Sequence, residues 1–102
     1  MPGESGFKWL AERNFLPLLP LRDMNSWPVL KVGNTPLYRF DQFGCYLKDD
    51  SQNPTFSFKD RASALVSAWA RDLGIHTLVA ASTGNAGSSL AGICAAQQQH
   101  AL

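Results

Sequence analysis

The sequence is short of several things, and each shortage removes a class of function. There is no surplus of charge of either sign: nine Lys plus Arg against eight Asp plus Glu leave +1. A nucleic-acid binder needs a basic patch that displaces counterions, so no nucleic-acid partner is expected. No apolar run approaches the roughly 18 residues needed to cross a bilayer. The segment Met1–Leu10 carries Glu4 and Lys8 and has no apolar stretch of signal-peptide type, so no membrane partner and a cytoplasmic location are expected. Cysteine is scarce. Cys45 and Cys94 lie far apart without metal-ligand spacing, and they read as buried thiols of a reducing compartment, with no metal site. Disorder is excluded from the other side, because 45% of the residues are hydrophobic and 17% charged. What remains is one globular unit at most, in 102 residues. A chain of that length buries about 60–65% of its unfolded surface. It has little room for both a stable core and a closed active site.

The organisation changes near residue 33. Residues 1–32 read as an irregular N-terminal arm: Pro17 and Pro20 cut short any helix, and the apolar cluster Phe15, Leu16, Leu18, Leu19 and Leu21 must drape over another part of the protein. Gly33-Asn34-Thr35-Pro36 is a turn. Leu37–Phe40 and Cys45–Lys48 read as two strands of a hairpin. A helix is expected from near Ser57, with Ser57 and Asp60 in a capping box. Its apolar face is Ala62, Leu65, Val66, Trp69, Ala70 and Leu73, and Gly74 is its left-handed cap. Thr77–Ala81 is a continuously apolar strand, as in a parallel sheet covered on both faces. A second helix follows over about Ala86–Gln98, kept slim by Gly87, Gly92 and several alanines, and His100–Leu102 opens another strand. This order predicts an α/β fold with a parallel sheet. Gln97, Gln98 and Gln99 read as a solvated helix end, His76 as an exposed residue, and Trp9, Trp27 and Trp69 as packing residues.

Two loops have residues suited to chemistry. In Asn53-Pro54-Thr55-Phe56-Ser57-Phe58-Lys59-Asp60-Arg61, Lys59 stands in the first turn of a helix, where the helix dipole disfavours an ammonium. Phe56 and Phe58 are placed to desolvate it. A neutral lysine condenses with aldehydes. The other reading, which local sequence alone favours, is a solvated lysine beside Asp60. Arg61 is either an ion-pair residue or a phosphate contact. The second loop, Ala81-Ser82-Thr83-Gly84-Asn85-Ala86-Gly87, leaves a strand and opens a helix. Free amides there suit an anion, phosphate or carboxylate, and Ser82, Thr83 and Asn85 add side-chain hydrogen bonds. The plainer reading is a strand-to-helix connection with Thr83 or Asn85 as N-cap. It is neither a G-x-G-x-x-G motif nor a P-loop, so no nucleotide is inferred.

Taken together, Gly33–Leu37, Asn53–Arg61 and Ala81–Asn85 resemble, in order and spacing, three motifs of the fold-type II (tryptophan synthase β-like) pyridoxal-phosphate enzymes. Within them Ser57-Phe58-Lys59-Asp60-Arg61 looks most like the threonine synthases. The resemblance runs from about Leu16 to Leu102. It implies that Lys59 carries pyridoxal 5'-phosphate as a Schiff base and acts as general acid and base. It implies that Asn85 bonds the cofactor's 3-hydroxyl, that Phe58 packs near the cofactor, and that Ser82, Thr83, Gly84 and the following amides bind the substrate carboxylate. The reaction implied turns O-phospho-L-homoserine and water into L-threonine and phosphate. Val32 stands where an acidic residue is frequent in the threonine synthases, and Ala86-Gly87 replaces a more usual Thr and small residue.

The resemblance also makes residues 33–102 the N-terminal part of a longer catalytic domain. The family's Gly-rich loop for the cofactor phosphate and its contact to the pyridine nitrogen would then lie beyond Leu102, leaving the isolated chain inactive. Homodimerisation at full length is the one protein partnership it leaves room for. The alternatives are a related β- or γ-replacement or elimination enzyme, such as a threonine deaminase, or a non-catalytic α/β binding module.

Overall fold

From Leu37 onward the turn residues and apolar spacings deliver the elements that the sequence predicts. The computed structural model describes residues 3–102. It contains helix α1 (Glu4–Ala11), the hairpin strands β1 (Leu37–Phe40) and β2 (Cys45–Lys48), helix α2 (Lys59–Asp72), strand β3 (Thr77–Leu78), helix α3 (Asn85–Gln97) and strand β4 (His100–Ala101). β1 and β2 pair antiparallel, with Leu37 opposite Lys48 and Phe40 opposite Cys45. β3 and β4 pair parallel, with Thr77 opposite His100, and α3 is the crossover between them. The α/β class is borne out. No helix of the described residues is long and apolar enough to cross a membrane.

The helix ends show why the chain turns where it does. Gly74 has φ +73°. Its N–H bonds the Arg71 carbonyl while the Ile75 N–H bonds that of Ala70, a Schellman cap that satisfies two carbonyls of the last turn of α2. The expected capping box at the other end does not form. The Ser57 hydroxyl accepts the Lys59 N–H at 3.2 Å, but Asp60 turns back to Thr55 instead.

The inner face of α2 keeps Ala70 from the expected apolar face but otherwise departs from the sequence expectation. Its buried residues are Asp60, Ser63, Ala64, Ser67, Ala68 and Ala70. Val66 and Trp69, from the expected apolar face, are 48% and 50% exposed. Small side chains let α2 and α3 approach closely, and their hydroxyls are satisfied across the contact, whereas Val, Trp and Leu would hold the helices apart. The apolar core is correspondingly thin: Ala64, Ala68, Ala70, Leu78, Leu90, Ile93 and Cys94. The expected slimness of α3 is borne out. A Cβ on Gly92 would lie 2.6 Å from Thr55 Cγ2, and one on Gly87 2.6 Å from the Ser82 carbonyl oxygen.

Five further readings need correction. The arm is not wholly irregular, because Phe7, Leu10 and Ala11, spaced by three and four, give α1 one apolar face before Asn14 and Phe15 turn left-handed. Met1 and Pro2, at its head, lie outside the described residues. Gln97 and Gln99 are buried rather than solvated, since each amide finds hydrogen-bond partners inside the fold. Gln97 accepts from Arg71 and donates to the Ser26 carbonyl; Gln99 accepts from the Ser67 hydroxyl and donates to the Ser67 carbonyl. Cys45 is exposed on a hairpin with no layer over it, while Cys94 is buried, and burial raises its thiol pKa. Val79 is exposed, because a two-stranded sheet leaves one face of the Thr77–Ala81 segment uncovered. Trp9 and Trp69 are likewise half exposed.

Candidate active site

Cross-links between α2 and α3 set the direction of the pair. Asp60 and Ser63 meet Ser89 near the start of both helices, and Arg71 meets Gln97 near the end of both. The helices therefore run the same way, and their N-termini emerge at one end. That end carries Lys59, the first residue of α2, and the Ser82–Asn85 loop, which leaves the carboxyl end of the parallel sheet. Ligands of open α/β sheets bind at this edge. Two segments separated by more than twenty residues are thus brought to one place.

The first segment is held from inside. Asn53 is buried; its side-chain oxygen accepts the Gly33 N–H at 2.8 Å and its amide donates to the Asp50 carbonyl. Thr55 gives its N–H and its hydroxyl to the fully buried Asp60. Between these anchors Phe56 takes a left-handed backbone, φ +65°, a strained setting for a bulky residue. Lys59 then points outward. Its Nζ lies 5.1 Å from the centre of the Phe58 ring, and Phe56 and Phe58 are 80% and 60% exposed. These rings do not bury Lys59, contrary to the sequence expectation, because they extend into solvent themselves.

Arg61 is resolved as an ion-pair residue. It grips Asp50 with two hydrogen bonds of 3.1 and 3.0 Å and reaches the Thr35 hydroxyl at 3.3 Å. The Arg61 hydrogen bond, then that from Thr35, lower the Asp50 pKa from 3.8 to about 2. This clip joins the Gly33–Leu37 turn to the start of α2.

The second segment is open. Gly84 is the N-cap of α3, so neither Thr83 nor Asn85 caps the helix. The Ser82 hydroxyl accepts the Gly84 N–H at 3.2 Å. The first amide used within the helix is that of Ser88, bonded to Gly84. Among the described residues nothing accepts from the amides of Asn85, Ala86 and Gly87, and nothing bonds the side chains of Thr83 or Asn85. Ser82, Thr83, Gly84 and Asn85 are all exposed. Two concavities lie away from this loop: a groove of about 960 Å³ between the arm and α2, lined by Phe15, Leu16, Trp27, Leu30 and Leu65 among others, and a hollow of about 270 Å³ on the hairpin.

Sequence reasoning missed Asn53 and Ser89 and gave Asp60 the wrong partner. The signal was the clustering of Asn, Asp, Ser and Thr at element starts, where such residues bond backbone donors.

The family profile "Pyridoxal-phosphate dependent enzyme" matches residues 29–100. The chain belongs to this family of pyridoxal-phosphate dependent enzymes. It is 38% identical over 84 residues to a protein named threonine synthase from Methanocaldococcus jannaschii, covering 76% of this chain and 21% of that one. A threonine synthase from Methanosarcina acetivorans is 39% identical over 69 residues, covering 61% of this chain and 17% of that one. One from Synechocystis sp. is 33% identical over 100 residues, covering 88% and 26%. The chain spans about a sixth to a quarter of the length of these curated relatives. No solved structure matches it significantly.

The donor set fits the family's cofactor. It offers a primary amine for an aldehyde, aromatic rings beside that amine, a side-chain amide for a ring hydroxyl, and unused backbone donors for an anion, all at one end of one helix pair.

Proposed function

We propose that the chain is the N-terminal portion of a threonine synthase, with Lys59 and the Ser82–Asn85 loop forming one wall of its active site. The reaction is the conversion of O-phospho-L-homoserine and water to L-threonine and phosphate. Residues 33–102 belong to the catalytic domain in this reading, and residues 1–32 are an arm that braces it. The observation that carries it is the convergence of an exposed lysine and a helix end with unused donors, supported by the threonine synthase names of the relatives.

Each residue has a task that follows from its position. Lys59 Nζ would hold the cofactor aldehyde, and the same nitrogen would accept and return protons as general base and acid. Asn85, whose side-chain amide has no partner among the described residues, would donate to the cofactor's ring hydroxyl and fix its orientation. The Thr83 hydroxyl and the amides of Asn85, Ala86 and Gly87 bind the substrate carboxylate at the positive end of α3. The Ser82 hydroxyl holds Gly84 in the shape that leaves those donors free. Phe58 covers one side of the amine. Bound pyridoxal phosphate supplies the electron sink that stabilises carbanions next to the substrate nitrogen.

The phosphate of the cofactor and its ring nitrogen call for residues outside this set, so the 102-residue chain alone turns over no substrate. The protein acts on a small amino-acid substrate in the cytoplasm, and a homodimer at full length is compatible with this reading. Substrate profiling of a family-length protein carrying this segment tests it. Release of phosphate and threonine from phosphohomoserine, lost in Lys59→Ala, is expected. Turnover of threonine or O-acetylserine instead would move the assignment to a deaminase or a β-replacement enzyme. No turnover of any amino acid would favour the binding module.

A further inference from the structure

Asp60 follows Lys59 directly and faces the opposite way. It is fully buried, and among the described residues no Lys, Arg or His pairs with it. Burying a carboxylate is costly unless hydrogen bonds replace its water. Here the replacements come from two separate parts of the chain. Thr55 gives its N–H at 2.6 Å and its hydroxyl at 2.5 Å, and Ser89 of α3 gives its hydroxyl at 2.5 Å. The Ser89 oxygen also lies 2.8 Å from that of Ser63 on α2. Thr55 is pinned on its other side, since its methyl occupies the place where Gly92 of α3 has no side chain.

One carboxylate therefore binds the loop that leads into Lys59, the helix that begins with Lys59, and the helix whose first turn carries the open donors. A purely structural contact at this place would be cheaper with apolar groups. A small polar core that fixes register is the better-attested use of such a buried polar group. The strained Phe56 lies inside the segment so held.

We infer that Asp60 is a positioning residue: through Thr55 and Ser89 it keeps the Lys59 amine in register with the Ser82–Asn85 loop. The inference rests on the reading of Lys59 and that loop as one site, and the experiment separates the two. The chain is incubated with pyridoxal phosphate, reduced with borohydride, and mapped by peptide mass. The readout is the ratio of label on Lys59 to label on Lys8, an exposed lysine of α1 that serves as internal reference. Amide hydrogen exchange is followed at Thr55 and at Asn85–Gly87.

In the wild type the label ratio should favour Lys59 at least tenfold. In Asp60→Asn, under conditions where circular dichroism matches the wild type, the ratio should fall about tenfold toward parity. Exchange at Thr55 should speed up by a similar factor, while the already open Asn85–Gly87 amides, and the Arg22 and Ile75 amides at the far end of α2, stay unchanged. An unchanged ratio in the folded variant overturns the inference and leaves the site intact. A wild-type ratio near one overturns the site reading itself, and the inference with it. If Asp60→Asn does not fold, Thr55→Val and Ser89→Ala each remove one strap and should lower the ratio about threefold. No change in either overturns the positioning role.

Discussion

The two ends of the α2–α3 pair are built on opposite rules. At the C-terminal end the side chains that meet between the helices and the arm are paired. Arg71 bonds Gln97, Gln97 bonds the Ser26 carbonyl, and Asp72 accepts from Arg22, Asp23 and Ser26. The arm is tied down there, and the backbone hydrogen bond from Arg22 is the largest influence lowering the Asp72 pKa. At the N-terminal end the inward-facing groups are just as fully satisfied, through Asn53, Thr55, Asp60 and Ser89. The outward-facing ones, Lys59, Thr83, Asn85 and three amides, make no hydrogen bond within the described chain. Unspent donors carried on a saturated base are what a binding site requires: rigid support, with the interaction reserved for a ligand.

Substitutions that trade the two rules against each other sharpen this comparison. Gly92→Val should have the largest effect. Its side chain collides with Thr55, which cannot yield because Asp60 holds it, so the substitution should cost about 1–3 kcal/mol by overpacking. Chemical denaturation reads that loss. Gln97→Ala comes next, at the closed end. It leaves a buried Ser26 carbonyl and one Arg71 donor unpaired, for about 1–2 kcal/mol, without changing Lys59 labelling.

The acid limb of stability is a smaller effect. Asp50 has its pKa lowered from 3.8 to about 2 when folded, so the Arg61 clip stabilises the chain above about pH 4 and is lost as pH falls from about 4 through 2. Thermal unfolding at stepped pH should show a shallower acid decline for Asp50→Asn than for the wild type. The smallest stability effect should be that of Thr83→Ala or Asn85→Ala. With no intrachain partner to lose, each should shift stability by less than about 0.5 kcal/mol. A loss as large as that of Gln97→Ala would mean that the open end is not open.

Much of this architecture was legible in the sequence, and the failures share one cause. Turn chemistry and spacing located the hairpin, both long helices, the Gly74 cap and the parallel pairing of β3 with β4. The resemblance of three motifs agrees with the family to which the chain belongs. What local reasoning misread was the inside of the helix pair. Apolar periodicity pointed to Val66, Trp69 and Leu73 as the buried face of α2, yet Ser63, Ser67 and Asp60 are buried, because α3 approaches closely enough to satisfy hydroxyls across the gap. Gln97 and Gln99 were misread for the same reason: their partners, Ser26, Arg71 and Ser67, are distant in sequence. Cys45 failed in the opposite direction, since no layer covers either face of the hairpin. Hydrophobicity along a chain records what a residue can bury, and only the neighbouring element decides which face is buried.

The central claim is that Lys59 differs in kind from the other lysines because of the end of the helix pair on which it stands. The most direct test is reductive trapping of pyridoxal phosphate on the wild-type chain, followed by quantitative peptide mapping of Lys8, Lys31, Lys48 and Lys59. The account predicts label concentrated on Lys59, and little label anywhere in Lys59→Ala. Label spread evenly over the exposed lysines, or Lys59→Ala labelled as heavily as its parent, would contradict it.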